Sequence, residues 1–139
     1  MRILIDTNIL LSGLFFSGNE SRLLDLALSE KIELLLLEDV LIETKNVIER
    51  KKDFFQRSEI PLSLLDLIQN RSVFVRRPAY SHLFLKAKSL IRDDKDVAVL
   101  AGVLAVPHDY FVSGDKDFAA PNLPTHVSVK ELLSKIKTG

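Results

Sequence analysis

Hydrophobic positions along this chain fall into two alternating patterns. Short, nearly continuous apolar runs read as strands: "RILI" at 2–5, "IELLLL" at 32–37, "SVFVRR" at 72–77, "DYFVSGD" at 109–115 and "HVSV" at 126–129. Longer stretches between them carry apolar residues at helical spacing. "NILLSGLFF" (8–16) follows the first run, and "ESRLLDLALSEK" (20–31) places Leu23, Leu24, Ala27 and Leu28 on one face. "EDVLIETKNVIERKKDFF" (38–55) lines up Val40, Leu41, Thr44, Val47 and Ile48, and "PLSLLDLIQN" (61–70) opens on Pro61, a residue suited to a helix start. "YSHLFLKAKSLI" (80–91), "DKDVAVLAGVLA" (94–105) and "VKELLSKIKTG" (129–139) are three more helices.

Strands alternating with helices of this length predict an α/β fold, a three-layer α/β/α sandwich around a central parallel sheet covered on both faces. Open sheets of this kind bind ligands beyond the carboxyl ends of their strands. With no repeat, low-complexity tract or linker, residues 1–139 are expected to form one domain.

Composition narrows this picture only at the margins. The chain is 47% hydrophobic and 27% charged, and no stretch approaches the roughly 20 apolar residues of a membrane span. "MRILID" has too short an apolar run and no cleavage site to read as a signal peptide. The absence of cysteine removes disulfides and thiolate metal sites, and a cytoplasmic location is expected. Nineteen basic residues against nineteen acidic ones leave no global basic footprint, although a neutral total can hide a local cationic groove.

Three acidic groups stand where this fold would place a ligand. Asp6 follows "RILI", Asp115 and Asp117 follow "YFVS", and Asp93, Asp94 and Asp96 open a helix. Each admits an ordinary explanation as a helix cap, a dipole partner or a turn acid. At one sheet edge, however, Asp6, Asp96 and Asp115 repel one another unless cations neutralise them, and all-oxygen ligands select Mg²⁺ or Mn²⁺. Glu43, three residues after Val40 on its helix, adds a fourth carboxylate. Thr7 and Asn8 are placed to fix the Asp6 carboxylate and its turn by hydrogen bonds.

"ILIDTN", "EDVLIETKNVIER", "RDDKDVAVLAGVL" and "YFVSGDKDF" occur in the order and spacing of PIN-domain proteins, and the chain resembles that family over nearly its whole length. Within the family it looks like the VapC-like ribonucleases, the toxin components of bacterial and archaeal toxin-antitoxin systems. The resemblance implies that Asp6, Glu43, Asp96 and Asp115 are the acidic quartet, catalytic and metal-binding, with Asp117 as an accessory acid and Thr7, Asn8 and Ser113 as supporting polar residues. Lys95 stands where many relatives have an acid, which leaves any ligand role in the "RDDKD" run to Asp96. The implied reaction is Mg²⁺- or Mn²⁺-dependent cleavage of single-stranded RNA to a 5′-phosphate and a 3′-hydroxyl. The implied partners are a cognate antitoxin and a second copy of the chain.

Clustered carboxylates without a Cys or His nucleophile suit phosphodiester hydrolysis by a metal-activated water. Arg50, Lys51, Lys52, Arg57, Arg76, Arg77, Lys86, Lys88 and Lys116 are candidates for a phosphate groove, with Lys116 foremost because acids flank it. Tyr80, Phe84 and Tyr110 are candidates for base stacking, the last two more as core residues. His82, His108 and His126 lack metal-ligand spacing and read as structural. Leu14, Phe15 and Phe16 read as a buried helix end.

Other reaction classes fit less well. A haloacid-dehalogenase-type phosphatase wants a second Asp two residues beyond the first, and position 8 is Asn. A response-regulator receiver needs an acid pair at the first strand end, where only Asp6 stands. A catalytically silent module binding RNA or protein has no need of four mutually repelling acids. A DNA-directed flap-type nuclease wants an extra helical arch for which the chain is short.

Overall fold

The structure, a computed structural model, describes residues 1–51 and 59–138. Strands β1 (Arg2–Ile5), β2 (Glu33–Leu37), β3 (Val73–Val75), β4 (Tyr110–Val112) and β5 (His126–Val127) form one sheet in the order β3-β2-β1-β4-β5, with every pairing parallel. Among the described residues the helices are α1 (Thr7–Phe15), α2 (Asn19–Leu28), α3 (Glu38–Arg50), α4 (Glu59–Asn70), α5 (Phe84–Leu90), α6 (Val97–Ala105) and α7 (Val129–Thr138). Helices α1, α2, α4 and α7 pack among themselves and α5 packs on α6, completing the α/β/α sandwich.

The central strands explain why the sheet is sealed on both faces. Leu34 to Leu37 are consecutive, yet none is more than 1% exposed, so side chains on both sides of the pleat are buried, each contributing about 2 kcal/mol. Ile3, Leu4, Ile5, Phe111 and Val112 continue this core through β1 and β4. No helix among the described residues is long and apolar enough to cross a membrane.

Several elements depart from the periodicity. The stretch 80–91 is not one helix: 3₁₀ turns at Arg77–Ala79 and Ser81–Leu83 precede α5. The Tyr80 side chain is turned inward there and completely buried, which withdraws it from base stacking. Likewise 94–105 splits into a 3₁₀ turn at Asp94–Asp96 and α6. Helix α3 ends at Arg50, and the expected continuation over 52–55 lies outside the described residues, as do Lys52 and Arg57. Leu14 is buried as expected, but Phe16 is 64% exposed.

Gly102 shows how tightly α6 lies on the sheet. A Cβ at this position would stand 2.4 Å from Leu37 Cδ1 and 3.0 Å from Cδ2, at the last residue of β2. Because Leu37 is buried, its tip has little room to swing away. Gly102→Ala should therefore lose about 1–2 kcal/mol in denaturant unfolding, the overpacking outweighing the gain of about 1 kcal/mol in helix propensity. A more stable variant would show that Leu37 repacks freely.

Candidate active site

The chain runs from β1 outward through β2 to β3 and then returns to β4 on the other side of β1. The carboxyl ends of β1 and β4 therefore form the topological switch point of the sheet, where a crevice opens. Ile5 pairs with Val112, so the residues that follow, Asp6 and Ser113, emerge side by side.

Asp6, 5% exposed, caps α1: one oxygen accepts the Ile9 N–H at 3.0 Å, and the other accepts the Ser113 hydroxyl. The Ser113 hydroxyl oxygen in turn accepts the Asp115 N–H at 3.0 Å. The Ser113 backbone is fixed as well, by its N–H to the Val127 carbonyl at 3.2 Å and by His126 Nε2, 2.9 Å from its own carbonyl. His126, read as structural in the sequence, is tied directly to the site by this bond. His108 is held by the Val106 carbonyl and the Thr125 hydroxyl.

A cavity of about 460 Å³ opens over these strand ends, and Asp6, Thr7, Asn8, Glu43, Asp96 and Asp115 all line it. The four acids expected to act together thus face one space, although they come from four different elements. Asp117 belongs to an overlapping group: oxygens of Asp93, Asp96 and Asp117 all lie within 4.8 Å of one another. Asp117 also accepts from Arg92 at 3.3 Å.

Asp93, given no ligand role in the sequence, is brought in by local geometry. Its carboxylate caps the 3₁₀ turn through the Lys95 N–H at 3.0 Å, and its carbonyl accepts the Asp96 N–H. Asp93 and Asp96 thus bracket one turn, with carboxylate oxygens within 4.8 Å of each other. An Asp-x-x-Asp spacing at a helix entrance is the signal that would have found it.

The electrostatics are those of a site short of positive charge. Burial raises the Asp6 carboxyl above its ordinary pKa, against the hydrogen bonds from Ser113 and Ile9. Asp96 is pushed up to about 7, first by burial, then by the charge and hydrogen-bonding of Asp115, then by Asp93 and Asp117. Asp96 Oδ2 is buried with no hydrogen-bond partner among the described residues. A buried carboxylate oxygen without a partner, in a group where oxygens of Asp93, Asp96 and Asp117 lie within 4.8 Å of one another, fits a hard divalent cation; Asp6, Glu43 and Asp115 line the same cavity as Asp96 but stand outside that group.

Cations stand around the carboxylates without neutralising them. Arg50, Lys51 and Lys95 line the cavity, and among the described residues no ion pair engages any of the three. Lys116, foremost by sequence, is exposed and lies outside the lining, and so do Arg76, Lys86 and Lys88. Arg77 is committed to Asp39 through a salt bridge of 2.6 Å.

The PIN domain family model matches residues 2–117. No curated protein sequence matches the chain. Among solved structures, the fold is similar to a chain of VapBC2 from Rickettsia felis, determined bound to a DNA fragment from their promoter. The TM-score is 0.63 at 20% identity, over 92% of this chain and 97% of that one, a likeness of fold.

The Asp96 shift has a definite pH signature in metal-free protein. A carboxyl raised from its ordinary 3.8 to about 7 favours the folded state below pH 3.8, and that contribution is lost as the pH rises through 7. In chelator, Asp96→Asn should therefore melt above the wild type at pH 8, and the difference should close on acidification toward pH 4. A difference in melting temperature that does not change with pH would refute this assignment of the strain.

Proposed function

The chain belongs to the PIN-domain family, and on that premise we propose that it is a divalent-metal-dependent endoribonuclease that cuts single-stranded RNA, the toxin of a toxin-antitoxin pair. PIN domains are generally nucleases and generally use divalent metals. The observation that carries the reading is the buried, unpartnered Asp96 oxygen in a cavity shared with Asp6, Glu43 and Asp115. A neutral binding surface has no reason to bear such a cost.

Bound Mg²⁺ or Mn²⁺ supplies Lewis acidity toward the phosphodiester and an activated water. Asp6, Asp96 and Asp115 hold the ion. Glu43 contributes directly or through water, and Asp117 and Asp93 from the adjoining group. Ser113 orients Asp6 with its hydroxyl and ties Asp115 to the same point. Thr7 and Asn8, the first residues of α1, line the cavity, but among the described residues the Asp6 carboxylate is held by Ile9 and Ser113 rather than by them, contrary to expectation. Arg50, Lys51 and Lys95, which line the cavity, take backbone phosphates on either side of the scissile bond. The fold shared with a chain of a VapBC complex supports a protein antitoxin as partner, and the working form we propose is a cytoplasmic homodimer.

The deciding experiment is cleavage of end-labelled single-stranded RNA and DNA pools with Mg²⁺, Mn²⁺ or EDTA. Wild type should cut RNA only with metal. Asp96→Asn should lose more than about 100-fold, beyond the cost of losing an outer-shell partner. Preference for DNA would favour a flap-type nuclease, and Mn²⁺ binding without any cutting would favour a silent module. In the same assay Lys95→Gln and Lys51→Gln should each raise KM with kcat little changed and reduce the slope of log affinity against log salt by about 0.7. Loss confined to kcat would show that these lysines act on the chemistry rather than on the strand.

A further inference from the structure

Helix α3, which carries Glu43, begins without a local cap: Leu37 precedes it and offers no side-chain acceptor. Its first turn is held from a distance instead. The Asp39 N–H donates to the Tyr80 hydroxyl oxygen at 3.0 Å, and that hydroxyl donates to Asp39 Oδ1 at 2.5 Å. Arg77 grips the same carboxylate as a fork, Nε to Oδ1 at 3.0 Å and Nη2 to Oδ2 at 2.6 Å, while its backbone N–H donates to Glu38 Oε1 at 2.9 Å. Tyr80 is completely buried, and the guanidinium lies 5.7 Å from the centre of the Phe84 ring. Burial alone would raise the Asp39 carboxyl, but hydrogen bonds from Arg77 and Tyr80 and the charge of Arg77 outweigh it and hold it low.

The buried stripe of α3, Val40, Leu41, Thr44 and Ile48, decides which face meets the sheet. Such a stripe tolerates small slides and rotations, because apolar contacts are not directional. A bidentate fork and a buried hydroxyl are directional, and both act on Asp39, one turn before Glu43 on the same side of the helix. Asp39 and Glu43 line one open groove of about 610 Å³ that adjoins the acidic cavity.

We infer that Arg77 and Tyr80 are positioning residues for Glu43: their clasp on Asp39 fixes the rotation and depth of α3 and so sets Glu43 over the cation site. The inference rests on the reading of Glu43 as a ligand, direct or through water.

The test is a double-mutant cycle read by Mn²⁺ calorimetry on wild type, Tyr80→Phe, Glu43→Gln and the double variant. Tyr80→Phe should weaken Mn²⁺ about tenfold. Glu43→Gln should weaken it at least as much, and the double variant no more than Glu43→Gln alone, because the clasp acts through Glu43. Equal losses from Tyr80→Phe in both backgrounds, or none in the first, would overturn the inference. Should Tyr80→Phe fail to fold, Arg77→Gln, at a half-exposed side chain, goes through the same cycle with the same expected coupling. Wild type without Mn²⁺ affinity would overturn the metal-dependent reading and this inference together. Coupling in Mn²⁺ affinity without RNA cleavage would uphold the inference and remove only the nuclease reading.

Discussion

The Ser113 hydroxyl donated to Asp6 is the contact on which the carboxyl edge of this sheet depends. It joins the ends of β1 and β4, adjacent strands that are distant in sequence, at the point where the strand order reverses. It also lets a carboxylate that is 5% exposed remain there, since each oxygen of Asp6 has a donor. Through the same oxygen Ser113 accepts from Asp115, so one hydroxyl sets the spacing between two of the acids.

The acids stand at the ends of closely packed elements. β1 and β4 are locked in the parallel ladder, and α6 lies so near β2 that a glycine is needed at the contact. Burial first, and then the charges of Asp115, Asp93 and Asp117, raise the Asp96 pKa there. The neighbouring cations could have offset this rise, yet Arg50, Lys51 and Lys95 reach the cavity without pairing to its carboxylates. A site that keeps negative charge at its floor and, among the described residues, positive charge outside any ion pair at its walls is complementary to a metal ion carrying a polyanion.

Sequence pattern resolved whatever depended on local periodicity. β1 and β2 are continuous apolar runs, and the helices between them repeat their apolar residues at helical spacing, so the sandwich and its acidic strand ends were legible. Contacts made by side chains far apart in sequence were not. Tyr80 read as a base-stacking aromatic because nothing near position 80 shows that its hydroxyl is taken by Asp39, 41 residues earlier. Asp93 was passed over because Lys95 stands where relatives have an acid, which left the ligand role to Asp96, whereas the chain makes a 3₁₀ turn there that Asp93 caps, close to Asp96. Between the two lysines adjacent to the acids, proximity in sequence favoured Lys116, but the turn geometry sends Lys95 to the cavity.

Capping and ligation, which looked like competing explanations for these acids, are compatible in one arrangement. Asp6, Asp93 and Asp115 each use an oxygen to accept a backbone N–H at the start of a helix or 3₁₀ turn. That bond fixes the rotamer, and a carboxylate has lone pairs to spare for a cation. Asp96 is the exception that separates the two roles. It stands at the entrance of α6 yet makes no capping bond, and its Oδ2 is buried without a partner. A serine or asparagine there would cap the helix at lower cost, so the fold supplies no reason for a carboxylate at position 96. The cation does.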